Sequence, residues 1–404
     1  MIQHKNVPKL RFIEFNNEWE EKKLKELCTF TQGVQVAQFE QTNSKINGYV
    51  RYLYIRDFFT DKYKCYVKNV YPNKIIKSTE IMVVNTGNTA GQVFTGVTGV
   101  LSNNSFKIGF NLDIVNSSFL FRYLKSDRTQ NIIKRFFNSG GQPHLGHNNI
   151  GLVKFAYPML QEQQKITDFL GTIDDQISKL SLKVNLLQKY KKGMMQKIFS
   201  QEIRFKDKSG QKYSDWEKMR FGEVSERIVT KNVGNNKNVL TISAQQGLVC
   251  QTDYFNKSVS STNLTGYYLL KKNDFAYNKS YSADYPMGAI KKLNHYNEGV
   301  VSTLYICFRV KKGYSSEFFE QYFNAGLQNK EISMIAQEGA RNHGLLNIGV
   351  NDFFDGVILN VPKIDEQQKI AECLLLQDDK INLAKKELEQ AKMFKKGLLQ
   401  QMFI

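Results

Sequence analysis

The sequence predicts an α+β protein built from two tandem α/β domains, each followed by a long helix. Two observations predict this fold class: a helical stretch of about 40 residues occurs twice at one offset, and each copy follows a run of strand-like segments. The two helices are predicted to pair as an antiparallel coiled coil with pseudo-two-fold symmetry. The predicted segments are the first domain at 1–157, the first helix at 158–200, the second domain at 201–361 and the second helix at 362–404.

The repeated stretch runs from 158 to 199 and again from 362 to 403. Glu162 and Glu366 are 204 residues apart, and so are Gly193 and Gly397, so one offset aligns both copies without a gap. Apolar residues recur every three or four positions, which is the pattern of a coiled-coil helix. These positions are Ile166, Leu170, Ile173, Ile177, Leu180, Val184, Leu187, Met194 and Ile198 in the first copy, and Ile370, Leu374, Ile381, Ala384, Leu388, Ala391, Leu398 and Met402 in the second.

The apolar stripe of each helix, here called the seam, predicts how the helices associate. A lone helix would leave its seam in water, so the two copies are expected to bury their seams against each other. Because the second domain lies between them in the chain, the second helix must fold back, which makes the pair antiparallel. Polar Lys191, Gln377 and Lys395 interrupt the seams. The alternative is that each helix covers only its own domain.

The two domains repeat one plan loosely. Leu10-Arg11-Phe12 near the start of the first domain matches Ile203-Arg204-Phe205 in the second, whereas the middle segments diverge. A shared scaffold with different central surfaces is what two related domains with different targets would need. Predicted strands lie at 49–55, 81–84, 93–100, 105–108, 239–243, 275–278, 288–291 and 304–310, and predicted helices lie at 119–137 and 317–335.

Composition and charge favour a polyanionic partner. The formal net charge is +18, and the helical stretches 161–199 and 365–404 hold 14 of the 56 basic and 11 of the 38 acidic residues, which leaves an excess of 15 positive charges on the rest of the chain. Such an excess is expected of surfaces that touch a polyanion, although a merely lysine-rich surface would also give it. Five scattered cysteines without a CxxC pair indicate a reducing cytoplasm. The lack of a long apolar run excludes a membrane span.

The sequence offers no convincing catalytic or metal-binding motif. The glycines of 87–91 lack the Lys-Ser/Thr of a phosphate-binding loop, and the Asn/Asp-Pro-Pro-Tyr/Phe tetrapeptide of amino-methyltransferases is absent. His144 and His147 have no nearby Cys, Asp or third His, so they are predicted to be loop residues rather than metal ligands. The acidic pairs at 174–175 and 378–379 are predicted on solvated helix faces. The chain is therefore predicted not to be an enzyme.

Polar side chains mixed with aromatic ones stand out in the divergent middles and in the loops ahead of Pro158 and Pro362. Arg, Asn and Gln make paired hydrogen bonds to guanine and adenine edges, and Lys suits phosphate, so these residues are candidates for DNA binding. The candidates in the first domain are Arg56, Lys62, Lys64, Asn88, Gln92, Asn103, Asn104, Gln142 and His144. Those in the second domain are Gln245, Gln246, Asn278, Lys279, Tyr281, Arg341, Asn342 and His343.

The duplicated motif resembles that of a known family. Pro-x-x-x-Glu-Gln-Gln-Lys-Ile begins at 158 and at 362, and each time it follows a variable domain and opens a long helix. The Pro-Lys-Leu-Arg-Phe at 8–12 and the Phe-Ala-Tyr-Asn-Lys at 275–279, with Gly288, are also similar to that family. The sequence resembles the specificity subunit of type I restriction–modification systems, and the resemblance covers essentially the whole chain.

The resemblance implies two target-recognition domains, each reading half of a split double-stranded DNA site, and a helical spacer that sets the gap between the halves. It implies docking onto two modification subunits, which bind S-adenosylmethionine and methylate adenine, and onto restriction subunits that use ATP and Mg²⁺. No cofactor is implied for this chain itself, and a cytoplasmic location is expected. The alternatives are a stand-alone DNA-binding protein or coiled-coil scaffold, and a cryptic nuclease or methyltransferase.

Overall fold

Each of the two long helices is shared between two units of the fold. The first unit comprises Met1–Leu182 and Lys385–Ile404, and the second comprises Lys183–Ala384. The computed structural model of the protein describes residues 6–137, 141–243, 247–255, 263–282, 285–336 and 344–404. The predicted segment boundaries, which separate each helix from its domain, stay a prediction. Among the helices in these ranges, none has the length and apolar character that crossing a membrane requires.

The first unit opens with β1 (Glu20–Lys23) and a one-turn helix, α1 (Leu24–Leu27). The next strands are β2 (Cys28–Gln32), β3 (Tyr49–Leu53), β4 (Cys65–Lys68), β5 (Ile75–Ile76), β6 (Ile81–Val84), β7 (Val93–Phe94), β8 (Gly99–Leu101) and β9 (Ser105–Phe110). They are followed by α2 (Ser117–Lys125), α3 (Asp127–Lys134), α4 (His147–Gly151), β10 (Lys154–Tyr157) and the long helix α5 (Leu160–Phe199).

Two four-stranded sheets form the centre of the first unit. One has the order β2-β9-β6-β7, with every pair antiparallel. The other has the order β4-β3-β8-β5, in which β3 and β8 run parallel. The main core packs around the buried side chains of Phe106, Phe119 and Phe155, and Leu398 and Met402 from the last helix of the chain complete it.

The second unit repeats the first sheet of the first unit, strand for strand. Its sheet order is β12-β19-β16-β17, again antiparallel throughout. Its strands are β11 (Glu217–Arg220), β12 (Ser225–Arg227), β13 (Leu240–Ser243), β14 (Gly247–Cys250), β15 (Tyr268–Lys271), β16 (Phe275–Asn278), β17 (Ala289–Lys292), β18 (Glu298–Val301), β19 (Ile306–Val310) and β20 (Ile358–Val361). Its helices are α6 (Phe221–Val224), α7 (Gln251–Phe255), α8 (Ser316–Asn324), α9 (Asn329–Ile335), α10 (Val350–Gly356) and α11 (Ile364–Met402).

The divergent middles also share one topology. In the second unit β13 pairs with β14, β15 pairs with β18, and a parallel bridge joins Val239 to Val300. This bridge takes the place of the parallel pairing of β3 and β8, where Tyr52 faces Val100. The two units therefore follow the same strand plan even where their sequences no longer match.

The single helices predicted at 119–137 and 317–335 are wrong, because each is two helices. Ser126 ends α2 and begins α3: its hydroxyl donates to the Tyr123 carbonyl at 2.8 Å and accepts from the Thr129 amide at 3.3 Å. A serine that bonds to the backbone in this way favours a helix cap over a helix interior. In the second unit Gly326, with a φ of 72°, lies between α8 and α9.

The apolar seam positions are buried or half-buried, and the helices are antiparallel, as predicted. Ile166, Leu170, Ile370 and Leu374 are all at most 2% exposed. In the first unit the early part of α5 lies beside the late part of α11, because Asp174 contacts Lys395. In the second unit the order is reversed, because Met194 near the end of α5 contacts Cys373 near the start of α11.

The lysines that interrupt the seams pair with aspartates of the opposite helix. Lys191 Nζ lies 2.6 Å from both carboxylate oxygens of Asp378, and Lys395 contacts Asp174. The prediction that the acidic pairs lie on solvated faces is therefore wrong for Asp174 and Asp378, which are half-buried, and confirmed for Asp175 and Asp379, which are exposed. Each aspartate also accepts a hydrogen bond from a domain helix, Asp174 from Arg122 at 2.6 Å and Asp378 from Gln321 at 3.1 Å.

The repeated Glu-Gln pair at the start of each long helix is buried and fixes the helix to its domain. Glu162 accepts two hydrogen bonds of 2.7 Å from Arg11 and one of 3.3 Å from Trp19. Gln163 accepts from the Asn116 amide at 2.8 Å. This arrangement is here called the Glu–Gln clamp. In the second unit its members are Glu366 with Arg204 and Trp216, and Gln367 with Ser315.

Candidate nucleic-acid interface

In the first unit, strand β6 ends in a loop that pairs with the segment ahead of α4. The Leu145 amide donates to the Asn85 carbonyl at 2.7 Å, and the Gly87 amide donates to the Pro143 carbonyl at 2.9 Å. The segments 85–92 and 141–145 are here called the strand-end loops. They bring together four predicted DNA-binding residues, Asn88, Gln92, Gln142 and His144, of which the first three are exposed.

A half-buried histidine pair supports these loops. His144 Nδ1 lies 3.1 Å from the Thr86 hydroxyl. The His147 ring stacks on Phe30, and its Nε2 is buried without a hydrogen-bond partner. Burial, together with the nearby His144, lowers the pKa of His147, so the neutral ring is favoured. In the ranges that the structure describes, no three His, Cys, Asp or Glu side chains form a group that could hold a metal ion.

The turn between β8 and β9 adds Asn103 and Asn104 to the strand-end loops. The Asn85 amide donates to the Asn104 carbonyl at 3.0 Å, and Asn103 Nδ2 donates to Gln35 Oε1 at 3.3 Å. Gln32 Nε2 donates to the Asn103 carbonyl at 2.5 Å. Sequence reasoning missed Gln32, Gln35 and Asn85 as members of this group.

A glycine between the two missed glutamines was an available signal. A Cβ on Gly33 would lie 2.0 Å from the Ser102 carbonyl oxygen, so only glycine permits this approach of the two backbones. The approach holds the segment after β2 against the β8–β9 turn. A glycine at a strand end therefore predicts a close contact, although not its partner.

A second polar group of the first unit lies on the segment after β3. The Arg56 guanidinium is 4.9 Å from the Tyr54 ring centroid and 5.6 Å from that of Tyr63, and Lys62 Nζ is 5.3 Å from the Tyr63 centroid. Lys64 forms an ion pair with Asp61 at 2.8 Å, which offsets its charge. The Ser102 amide donates to the carbonyl of Leu53, the last residue of β3, so this group lies beside the β8–β9 turn.

The second unit builds the same pair of loops with different side chains. The Leu346 amide donates to the Lys279 carbonyl at 3.0 Å, and the Tyr281 amide donates to the Gly344 carbonyl at 3.2 Å. The predicted residues Asn278, Lys279 and Tyr281 therefore lie at the end of β16, where the first unit places the residues after β6. The predicted residues Gln245, Gln246, Arg341, Asn342 and His343 lie outside the described residues.

A separate candidate surface lies on the long helices, where an exposed aromatic residue precedes a glycine by three positions. Tyr190 is 60% exposed ahead of Gly193, and Phe394 is 59% exposed ahead of Gly397. A Cβ on either glycine would meet nothing within 4 Å. Glycine inside a helix costs about 1 kcal/mol relative to alanine, and no packing contact with the described residues requires it here. These two sites are here called the aromatic–glycine pairs.

Comparison with known proteins finds similarity over part of the chain. Residues 16–188 match the sequence-family model described as Type I restriction modification DNA specificity domain. The chain is 27% identical to the type I restriction enzyme MjaVIII specificity subunit of Methanocaldococcus jannaschii over 231 residues. The aligned region covers 55% of this chain and 52% of that protein. It is 26% identical over 257 residues to the putative MjaX specificity subunit of the same organism, which covers 60% and 58%. The matches span little more than half the length of these relatives.

Two solved structures share the fold. The S subunit of a type I restriction–modification system from M. genitalium superposes with a TM-score of 0.56 at 15% identity, over 98% of this chain and 99% of that one. A second structure, described as showing complex assembly and conformational transition of a type I R-M system, contains a chain that superposes with a TM-score of 0.58 at 14% identity. The superposition covers 97% of this chain and 99% of that one.

The two units share one strand plan and carry different loop side chains, and the family match lies mostly in the first unit. The chain is therefore similar to the specificity subunits of type I restriction–modification systems over part of its length, and its fold is that of such a subunit.

Proposed function

We propose that this chain reads a bipartite double-stranded DNA site, with one unit bound to each half. The observation that supports this proposal is the duplicated pair of loops at the ends of β6 and β16. Backbone hydrogen bonds hold both pairs in the same way, yet their side chains differ, as with Asn85 in the first unit and Lys279 in the second. A constant scaffold with variable side chains suits two sites of different base sequence.

The chemistry of the exposed side chains fits both parts of DNA recognition. Asn88, Asn103 and Gln142 carry amides, which pair with adenine edges, and Arg56 carries a guanidinium, which pairs with guanine. The excess of 15 positive charges outside residues 161–199 and 365–404 supplies phosphate contacts and therefore affinity. The tyrosine rings beside Arg56 restrict the rotation of its side chain before binding, which lowers the entropic cost of contact.

Partner subunits would supply the chemistry. In this proposal two modification subunits bind S-adenosylmethionine and methylate adenine, and restriction subunits add ATP- and Mg²⁺-dependent cleavage, all in the cytoplasm. The two aromatic–glycine pairs support a stoichiometry of two, because each offers an exposed ring beside a flat stretch of helix backbone. Such a flat stretch allows a helix of another protein to approach closely.

The decisive experiment is a domain exchange followed by genome-wide mapping of methyladenine. Residues 1–157 are replaced by those of another specificity subunit, and the chain is co-expressed with its modification subunit. The expected result is a methylated sequence that changes in one half only. A change in both halves, or methylation without sequence preference, would contradict the proposal. Purified chain alone with Mg²⁺ or S-adenosylmethionine tests the enzymatic alternative, for which no reaction is expected.

The docking proposal is tested by native mass spectrometry of the co-expressed complex. Gly193→Leu and Gly397→Leu each place a side chain on one aromatic–glycine pair, and each is expected to remove one of the two modification subunits. The matched control is Gly171→Leu, because a Cβ on Gly171 also meets nothing within 4 Å and the second copy has Leu375 at the same offset. Loss of partners by the control alone would contradict the assignment.

A further inference from the structure

Phe39 is 90% exposed, more than any other aromatic side chain among the described residues. It lies on a short turn, Gln38–Glu40, in the connection from β2 to β3. A single exposed apolar residue is ordinary on a protein surface and by itself needs no explanation. Three further observations distinguish Phe39: a rigid support, polar neighbours on both sides, and an apolar counterpart in the second unit.

Hydrogen bonds on its C-terminal side hold the turn rigidly. Gln41 Nε2 donates to the Val36 carbonyl at 2.8 Å, which closes the turn beneath Phe39. The Tyr54 hydroxyl donates to Gln41 Oε1 at 2.7 Å. Thr42 and Tyr66 then exchange two backbone hydrogen bonds, of 3.0 and 2.8 Å. The phenylalanine is therefore presented to solvent by a fixed backbone rather than by a loose loop.

Both groups of candidate DNA-binding residues flank the turn. On its N-terminal side, Gln35 bonds to Asn103 of the β8–β9 turn. On its C-terminal side, Tyr54 both anchors Gln41 and contacts the Arg56 guanidinium. An apolar tip between two sets of polar side chains is the arrangement of proteins that insert a wedge between bases while neighbouring groups bind phosphates and base edges.

The second unit presents an apolar side chain at the corresponding connection. Val233, between β12 and β13, is 88% exposed. Its neighbour Asn232 is fully buried and donates to the carbonyls of Asn236 at 2.9 Å and Leu264 at 3.3 Å, so this turn is also fixed. The two tips differ in length, because valine has two methyl groups where phenylalanine has a ring.

We propose that Phe39 inserts between two stacked base pairs of the half-site that the first unit binds. The inference rests on the proposed function and deepens it, because an inserted ring adds a preference for an easily unstacked step, such as a pyrimidine–purine step, at a position without hydrogen-bonded readout. Val233 is too short to separate stacked bases and contacts only the groove surface.

The test uses the complex with the modification subunits and duplexes that carry the mapped target. 2-Aminopurine replaces one base at a time, at positions other than the methylated adenine. With the wild-type chain, fluorescence is expected to rise at one step of the first half-site. Phe39→Ala is expected to abolish this rise and to weaken binding roughly tenfold. Phe39→Trp is expected to retain the fluorescence rise and the wild-type affinity.

Two variants serve as controls. Phe59→Ala removes another exposed ring, one that packs on Phe94, and Val233→Ala removes the tip of the second unit. Both are expected to leave the fluorescence rise unchanged. Sequence-selective binding without any rise, or a rise that survives Phe39→Ala, overturns the wedge and leaves the proposed function standing. A wild-type complex without selective binding overturns both.

Discussion

Arg11 donates two hydrogen bonds of 2.7 Å to the carboxylate of Glu162, which is fully buried. The contact joins the opening of the first domain to the first turn of the helix that follows it. Arg204 and Glu366 form the same contact in the second unit, at 3.0 and 2.8 Å. The repeated motif that contains Arg11 or Arg204 and the repeated motif that contains Glu162 or Glu366 are separate in the sequence. In each unit they therefore contact each other directly.

Glu162→Ala is expected to destabilise the first unit by about 3 kcal/mol, because it leaves the Arg11 guanidinium without its buried partner. Each clamp holds one of the two tryptophans of the chain, Trp19 or Trp216, so single-tryptophan variants report on each unit in urea unfolding. Glu366→Ala is the matched variant for the second unit. Equal loss of stability in both units from either change would contradict the assignment.

Exchanging the charges of Lys191 and Asp378 in a double variant is expected to restore most of the stability that either single charge reversal loses. Each single reversal places like charges together and costs about 1 kcal/mol for this partly exposed pair. The double variant restores an attractive pair. Gln321, which hydrogen-bonds to both residues in the wild-type chain, is neutral and therefore repels neither new charge. The free energies of unfolding form a double-mutant cycle.

The equivalent charge exchange of Asp174 and Lys395 is expected not to restore stability, in contrast to the exchange of Lys191 and Asp378. Lysine at 174 would face the Arg122 guanidinium. Burial alone would raise the pKa of Asp174, but hydrogen bonds from Lys395 and Arg122 outweigh it and hold that pKa below its usual value. Equal recovery in both exchanges would show that Arg122 has no role.

The first unit is expected to lose stability as the pH falls below about 6.5, the usual histidine value. Burial lowers the pKa of His147 in the folded chain, so the unfolded chain binds a proton more readily. The stabilisation is therefore complete above the unfolded pKa and is lost on the acid side. His147→Phe should flatten the dependence of the Trp19-reported melting temperature between pH 7.5 and 5.5. His295→Phe, at an exposed site of the second unit, should leave it unchanged.

Gly288→Ala is expected to impair recognition of one half-site only. Gly288 has a φ of 71°, and a Cβ there would lie 2.3 Å from the Asn278 carbonyl oxygen. The substitution therefore distorts the pairing of β16 with β17. Asn278 is the last residue of β16, and Lys279 follows it directly. Gly210→Ala is the control, because Gly210 has a φ of 85° but open space around its Cβ. Methyladenine mapping should show a relaxed second half-site for Gly288→Ala and an intact site for the control.

The long helices were predictable because their seams repeat at one offset, and the strands at β6 and β16 were predictable from short apolar runs. The shared strand plan of the middles was not, because a bridge such as Val239 to Val300 depends on contacts between distant residues and not on local pattern. Ser126 was hidden for a different reason: a serine inside an amphipathic run looks like a solvated position until its hydroxyl is seen to cap a helix.

The candidate interface was predictable by residue type but not by arrangement. Asn103 and His144 were chosen for their chemistry, and the structure shows that backbone pairing brings their loops together. Gln32 and Asn85 join the same group through tertiary contacts that a single sequence does not encode locally. Whether each of these side chains contacts DNA stays a prediction.

The core of the first unit contains Leu398, Met402 and Phe403 beside Trp19. Because a ribosome makes the chain from its N-terminus, this core lacks three of its members until translation has reached residue 403. The second unit ends at Ala384 and is synthesised in full earlier. The part of the protein that is made first is therefore the part whose core is completed last in synthesis.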